Sequence, residues 1–347
     1  MTTKRTIFLL AASFSLLVAS QGCKYADPEL FTAPEDFVDG EEVTAETLNY
    51  GQEQYILYCY ACHGAQGDGR GPASRWLRPP PRDFRLATFK FAKVIDGLPR
   101  DEDLKHIIRH GLDGTPMLKW DIPDNTLNAI IQYIKTFSPE GEGFRDEDAE
   151  YGEVIEVGDD PWSDDQAGAV THGKKLYHSK GCWSCHAAYA DKASITAANA
   201  EIKGKDAKVA FRPNMYYSEP KVSSIYTAPI KDFYTNHFRR NVEYDDCEDD
   251  DGCEDSQKCV YGRCEHKLRI LPPDFTFDVV RSGSEPADIF KTISAGIPGA
   301  GMPQFKGVES DKDIWALAHY VNSLIKLKDT PGAADLKEAL RKAAAKN

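Results

Sequence analysis

Apolar residues recur at helical spacing in two long and two short stretches of the chain. The long stretches follow residues that commonly begin helices, Asp124 and Ser310, and Asp313 adds a capping-box arrangement to the second. Their apolar positions are Leu127, Ile130, Ile131, Ile134 and Phe137, and then Ile314, Leu317, Ala318, Val321, Leu324 and Ile325. The short stretches each end at a glycine and consist of Leu104, Ile107 and Ile108 before Gly111, and Ile289, Phe290 and Ile293 before Gly296. Strand-like alternation is scarce, so the pattern predicts a mainly α fold.

The same order of features occurs twice along the chain. The first copy runs from GQEQYILYCYACHG, beginning at Gly51, through PPPRDF to GLDGTPM, which ends at Met117. The second copy runs from GKKLYHSKGCWSCHA, beginning at Gly173, through LPPDF to GIPGAGM, which ends at Met302. One of the long helical stretches closes each copy. Such a duplication predicts two tandem domains of one fold.

Composition sets the boundaries around the two copies. We place the first domain at residues 43–138 and the second at residues 167–327. Residues 139–166, with 12 Asp or Glu and one Arg, are expected to form a solvated acidic linker. Between the histidine of CxxCH and the aspartate of LPPDF, the second copy has about 68 more residues than the first, and we place this insertion at about residues 195–266. Residues 328–347 form an Ala/Lys-rich C-terminal tail that is helix-prone, and its role is left open.

The N-terminus predicts export. Two basic residues precede an apolar run at residues 7–19, which is too short to span a bilayer and is typical of a signal peptide, residues 1–22. Cys23 follows immediately, in a pattern that resembles a bacterial lipoprotein signal, with residues 23–42 as a tether. Ordinary cleavage that removes Cys23 or leaves it as a free cysteine is the alternative. We therefore expect a periplasmic protein that lipid on Cys23 holds at a membrane. The sequence does not decide between the inner and the outer membrane.

Composition and charge narrow the class of protein. A chain of 347 residues with 41% hydrophobic residues can form two folded domains, which excludes wholesale disorder and a polytopic membrane protein. The formal charge is −13, and removal of residues 1–22, which hold two basic residues, makes it −15. This charge argues against nucleic acid as a partner and favours redox partners with a basic docking face.

Two CxxCH motifs carry the candidate chemistry. They consist of Cys59, Cys62 and His63, and of Cys182, Cys185 and His186. This spacing is typical of c-type haem attachment, in which two thioethers hold the porphyrin and the histidine binds the iron. A redox dithiol or half of a zinc site is the alternative for one such motif, but two copies in an exported protein favour haem. We expect two covalently bound haem c groups.

Methionines are the expected sixth ligands of the iron. Met117 and Met302 occupy the same position in the two copies, six residues after a glycine. Because a thioether favours ferrous iron, we expect fairly high potentials at both centres. Met215 is a competitor for the second centre, because the insertion could deliver it. A role of Met117 and Met302 as core residues is the remaining alternative.

Each copy resembles a class I cytochrome c domain. The resemblance lies in the CxxCH motif, the glycine and aromatic residue of the preceding helix, the methionine loop and an aromatic residue of the last helix. These helix residues are Gly51, Tyr55 and Tyr133 in the first copy and Gly173, Tyr177 and Tyr320 in the second. The resemblance implies that the first and last helices of each domain cross at these residues, and it implies electron transfer.

The insertion contains four cysteines: Cys247, Cys253, Cys259 and Cys264. In an oxidising compartment they predict two disulfides, with three possible connectivities. The neighbouring aspartates could bind calcium, but the spacing around Gly252 does not fit an EF-hand. A solvated acidic loop is favoured.

Three functions remain open at this stage. The favoured one is a dihaem electron carrier that breaks no substrate bond and has no catalytic residues. The alternative is a haem enzyme or enzyme subunit, similar to a dihaem peroxidase or an electron-accepting dehydrogenase subunit, with an open site at the second haem. A sensor or interaction protein is the third.

Overall fold

A computed structural model describes residues 28–228, 247–260 and 262–345. The predicted signal peptide and lipidation site, residues 1–22 and Cys23, lie outside the described residues. Within the described part, no helix combines the length and apolarity that crossing a bilayer requires.

The first half of the chain is built on a crossing of two helices. Its helices are α1 (Ala45–Tyr58), α2 (Tyr60–His63), α3 (Asp101–His110) and α4 (Asp124–Lys135). Thr44 begins α1, because its side chain accepts a hydrogen bond from the Thr47 backbone N–H. A Cβ atom on Gly51 of α1 would lie 2.1 Å from the Ala129 carbonyl oxygen of α4, so the crossing requires glycine.

The second half repeats this crossing. Its helices are α5 (Gln166–Ser179), α6 (Lys192–Lys203), α7 (Pro286–Ala295), α8 (Asp311–Ile325) and α9 (Pro331–Ala345). A Cβ atom on Gly173 of α5 would lie 2.0 Å from the Ala316 carbonyl oxygen of α8. Ser310 begins α8 by accepting the Asp313 backbone N–H, as the sequence predicts. The fold is mainly helical, in agreement with the predicted class.

Short strands complete the fold. They are β1 (Glu35–Phe37) paired with β2 (Glu41–Val43), β3 (Val94–Ile95) paired with β4 (Glu153–Val154), and a sheet of β5 (Lys221–Ala228), β6 (Gln257–Val260) and β7 (Arg263–Ile270). The sheet is antiparallel with the order β5, β7, β6, and it belongs to the insertion. The helical pattern of the sequence did not predict this sheet.

Disulfides stabilise the sheet. The bonds join Cys247 to Cys259 and Cys253 to Cys264, one of the three possible connectivities. Cys259 and Cys264 also face each other in the pairing of β6 with β7. Each bond therefore ties the acidic loop before β6 to the hairpin.

Two hydrophobic clusters form the interior. The first contains Leu48 and Tyr55 of α1 packed against Ile130 and Ile131 of α4. The second surrounds Tyr177 of α5 and is larger, since it includes residues of α6, α7 and α8. Each of the two CxxCH motifs packs against one of these clusters, so each motif is held by the core of its own half.

The acidic linker differs from its predicted solvated form. Phe144 is fully buried in the first cluster, and Ile155 is 3% exposed in the second. Between them, β4 pairs with β3 of the first half. Further on, Asp160 lies 2.7 Å from the Nε2 atom of His319 on α8. Composition misled the prediction, because a few well-spaced apolar side chains fix the segment while its many carboxylates face outward.

Contacts join the two halves directly. Lys93 of the first half lies 3.7 Å from Asp288 of α7. Arg70, which follows the first CxxCH motif, forms an ion pair with Glu265 of β7, whose side chain is 5% exposed. The insertion therefore touches the first half as well as the second.

Candidate functional site

The first CxxCH motif lies at the end of α1. The backbone N–H groups of Cys62 and His63 both donate to the Cys59 carbonyl, so the motif forms a tight turn. The Nδ1 atom of His63 lies 3.2 Å from the carbonyl oxygen of Arg82. Its ring stacks on Phe84 with a centroid distance of 4.3 Å. The imidazole is thus oriented by the PPPRDF segment.

The second motif has the same surroundings although the insertion separates its parts. The Nδ1 atom of His186 lies 3.1 Å from the carbonyl oxygen of Pro273. The His186 ring stacks on Phe275 with a centroid distance of 4.8 Å. Both rings are therefore held by a carbonyl and by a phenylalanine two residues later.

A buried tyrosine supports each motif from the preceding helix. Tyr55 donates its hydroxyl to the carbonyl of Gly64 at 2.8 Å, and Tyr177 donates to the carbonyl of Ala187 at 2.8 Å. In both copies the acceptor is the residue after the histidine. These bonds satisfy hydroxyls that would otherwise be buried without partners.

The electrostatics of the histidines suit a metal ligand. Burial lowers the pKa of His63 to about 4, and the hydrogen bond to Arg82 opposes this effect only in part. Burial likewise lowers the pKa of His186. Both imidazoles are therefore neutral near pH 7. With Nδ1–H donating to a carbonyl, the Nε2 lone pair of each ring is available to a metal.

Cysteines of the motifs remain unbonded to one another in the structure. Burial, together with the neighbouring Cys62, raises the pKa of Cys59 to about 12. Burial also raises the pKa of Cys182 to about 12. Neither of these two thiols has the lowered pKa of the attacking cysteine in a redox dithiol, which favours an attachment role.

The methionine loops are equivalent in geometry. The N–H of Leu112 donates to the Met117 carbonyl at 2.9 Å, and the N–H of Ile297 donates to the Met302 carbonyl at 3.0 Å. Each loop follows a glycine with positive φ, +66° at Gly111 and +68° in the second copy. Both methionine side chains are partly buried and pack on the core of their own half.

Met215 lies in a different environment. It is 3% exposed, and its carbonyl accepts the N–H of Ala188, next to the second CxxCH motif. Arg212 connects the same region by donating to the carbonyls of Trp183 and His186 at 3.1 and 2.9 Å. Met215 thus belongs to the core beside the motif and has no counterpart in the first copy.

The residue set fits a covalently bound haem. Each copy offers two thiols at the attachment spacing, an imidazole with a free Nε2, and a thioether on a separate loop. A zinc site would need further sulfur or imidazole ligands. Among the described residues, the clustered ligand group is Cys247, Cys253 and Cys264, and these sulfurs are in disulfides.

Sequence reasoning missed an aspartate in each site. Asp83 and Asp274 directly follow the residues whose carbonyls hold His63 and His186. Burial would raise the pKa of Asp274, but hydrogen bonds from Thr276 and Lys337 outweigh it and hold the pKa below its usual value. The shared DF of PPPRDF and LPPDF was a visible signal for these aspartates.

A family model matches the first copy of the repeat. Residues 46–134 match the family described as cytochrome c oxidase, cbb3-type, subunit III. This match covers the first CxxCH motif and Met117, and it indicates haem-based electron transfer. These residues, about a quarter of the chain, are therefore similar to a cytochrome c domain. The comparison with curated proteins finds no match.

A solved structure extends the likeness beyond the first copy. The chain is similar to a chain of the Kuenenia stuttgartiensis reducing HAO-like protein complex Kustc0457/Kustc0458, at 25% identity with a TM-score of 0.53. The similarity covers 80% of this chain and 96% of that chain. Both copies therefore contribute to the similarity, because neither alone could account for so much of the chain.

Proposed function

We propose that this protein is a dihaem c-type cytochrome that carries electrons between redox partners, with one haem c in each of two tandem class I domains. The observation that carries the proposal is the repeated geometry around the two CxxCH motifs. In each copy a carbonyl orients the histidine, a phenylalanine stacks on it, and a methionine loop closes on the same backbone hydrogen bond.

The proposed attachment residues are the four cysteines of the motifs: Cys59, Cys62, Cys182 and Cys185. His63 with Met117, and His186 with Met302, would bind the two haem irons. When bound, each haem supplies one-electron chemistry through its Fe(III)/Fe(II) couple. Met302 is preferred to Met215 because it shares the loop geometry of Met117.

The chain's own residues would hold the two sites in a form suited to electron transfer. The carbonyls of Arg82 and Pro273 hold the two imidazoles, so each ring would need little rearrangement when the charge of a metal bound at Nε2 changes. Each imidazole is buried against a phenylalanine ring, which keeps water away from it. The methionine thioethers would favour the reduced state of the iron.

Location and docking are part of the proposal. A signal peptide and lipid on Cys23 would hold the protein at a membrane in the periplasm. The charge of −15 on the mature chain would attract a partner with a basic docking face. Association with such a partner should weaken as ionic strength rises, and an affinity that salt leaves unchanged would contradict steering by charge.

Membership of an enzyme complex is the second candidate. It is favoured by the similar solved structure, which is a reducing HAO-like complex of two proteins. In that case this chain would be an electron-transfer subunit or would have an open position at the second haem. The form of this candidate with an open position differs from the carrier because its second iron would bind external ligands.

The test begins with haem content and carbon monoxide. The pyridine haemochrome assay on the mature protein should give two haem c per chain. The dithionite-reduced protein should show no spectral shift with carbon monoxide, because methionine holds both sixth positions. One haem per chain would refute the dihaem proposal, and prompt binding of the gas by one haem would favour the enzyme candidate.

A further inference from the structure

In both copies an aspartate directly follows the residue whose carbonyl contacts the motif histidine, but different residues neutralise its charge. In the first copy, Arg85 donates its backbone N–H and its Nε–H to Oδ1 of Asp83, at 3.1 and 2.9 Å. Its Nη2 atom lies 2.7 Å from Oδ2. The compensating positive charge thus comes from a single residue, Arg85, which lies two positions after Asp83 in the same loop.

The second copy lacks that arginine. Thr276 stands at the equivalent position and donates its N–H and hydroxyl to Oδ1 of Asp274, at 3.0 and 2.7 Å. Tyr189 adds a hydroxyl at 3.1 Å. These groups are neutral. The positive charge is the Lys337 ammonium, whose Nζ atom lies 3.1 Å from Oδ2.

Lys337 comes from the C-terminal helix α9. The helix docks on the second half through Leu336, which packs against the core, and Leu340, which is 8% exposed. The Lys337 amine also lies 5.4 Å from the ring centre of Phe277. By contrast, Lys342 on the same helix is 72% exposed, and its Nζ atom lies 3.5 Å from Oε1 of Glu338 rather than near Asp274. The way in which α9 docks therefore places Lys337, and not Lys342, beside Asp274.

We propose that the C-terminal helix is a positioning element of the second haem site, in which Lys337 takes the part that Arg85 has in the first. This inference rests on the proposed function. Asp274 directly follows Pro273, whose carbonyl holds His186, so an anchored carboxylate fixes that carbonyl. The ammonium also offsets a negative charge that would otherwise stabilise ferric iron at this site.

Redox titration of matched variants tests the proposal. We expect Lys337→Met to lower one of the two midpoint potentials and Arg85→Met to lower the other. Lys337→Arg keeps the charge and should restore the wild-type value. Lys342→Met removes the same charge from the same helix away from Asp274, so it should leave both potentials unchanged. Removal of residues 331–347 should reproduce the shift of Lys337→Met.

The outcomes separate this inference from the proposed function. If the haemochrome assay finds one haem per chain, the dihaem function fails first. With two haems present, unchanged potentials in Lys337→Met would overturn the inference. So would equal shifts in Lys337→Met and Lys342→Met, since these would reflect net charge alone. A shift of both midpoints in Lys337→Met would also count against a site-specific role.

Discussion

The crossing of α1 with α4 can be tested by adding one methyl group. A Cβ atom on Gly51 would lie 2.1 Å from the Ala129 carbonyl oxygen, whereas real Cβ contacts below 3.0 Å are essentially never observed. The helices must separate by about 1 Å, which forfeits roughly a quarter to a half of the dispersion energy of the facing atoms. Backbone is the obstacle, so no side chain can rotate away.

Two opposing effects decide how much Gly51→Ala changes the free energy of unfolding. Alanine is the better helix former by about 1 kcal/mol. Overpacking against a rigid backbone costs about 3 kcal/mol at the severe end of the usual range. The expected result is a loss of about 2 kcal/mol in the free energy of unfolding. Gly173→Ala should behave alike, since its Cβ would lie 2.0 Å from the Ala316 oxygen.

Thermal and urea unfolding of the haem-loaded protein, followed by far-UV circular dichroism, measures this loss. Gly158→Ala is the control, because its Cβ would meet no atom within 4 Å and its φ is not in the left-handed region. The reasoning would be refuted if Gly51→Ala were as stable as wild type, because the helices would then have room that the structure denies.

Three further changes test other parts of the structure. Met302→Ala should open one haem to carbon monoxide in the reduced protein while Met215→Ala should not, and the reverse pattern would exchange their roles. Lys135→Met should lower the free energy of unfolding by roughly 1.5–3 kcal/mol, because its buried ammonium donates to Glu41 and forms an ion pair with Asp101. Lys105→Met is the control, because it removes a surface ion pair with Glu102 and should lower the free energy of unfolding by less than about 1 kcal/mol. Equal losses in the two variants would contradict a stabilising role for the buried Lys135 ion pairs. Glu265→Gln should lower the melting temperature by removing the ion pair with the first half, and an unchanged value would show that the contact adds nothing.

Local spacing predicted the parts of the site that are close in sequence. The two CxxCH turns, the glycine and tyrosine of each first helix, and the capping of α8 by Ser310 all follow from residue type and period. The equivalence of Met117 and Met302 likewise followed from the repeat. These features depend on interactions over a few residues, which a single sequence displays directly.

Contacts between residues that are far apart in the sequence could not be predicted from local spacing. Pro273 lies 87 positions from His186, whose ring it holds, and Lys337 reaches Asp274 from a separate helix. No local pattern connects such residues. The sheet of the insertion was missed for a related reason, because β5 and β7 are far apart in sequence and their pairing depends on the whole fold.

The acidic segment between the copies shows what the packing means for function. Its residue Phe144 belongs to the first core and Ile155 to the second, while β4 pairs with β3 between them. Lys93 adds an ion pair to α7, and Arg70 adds one to the insertion. A flexible linker would let the two sites vary in separation, so electron exchange between them would depend on chance encounters. Contacts on both sides of the segment instead favour a constant separation of the two motifs, which is the arrangement that the proposed electron carrier would require.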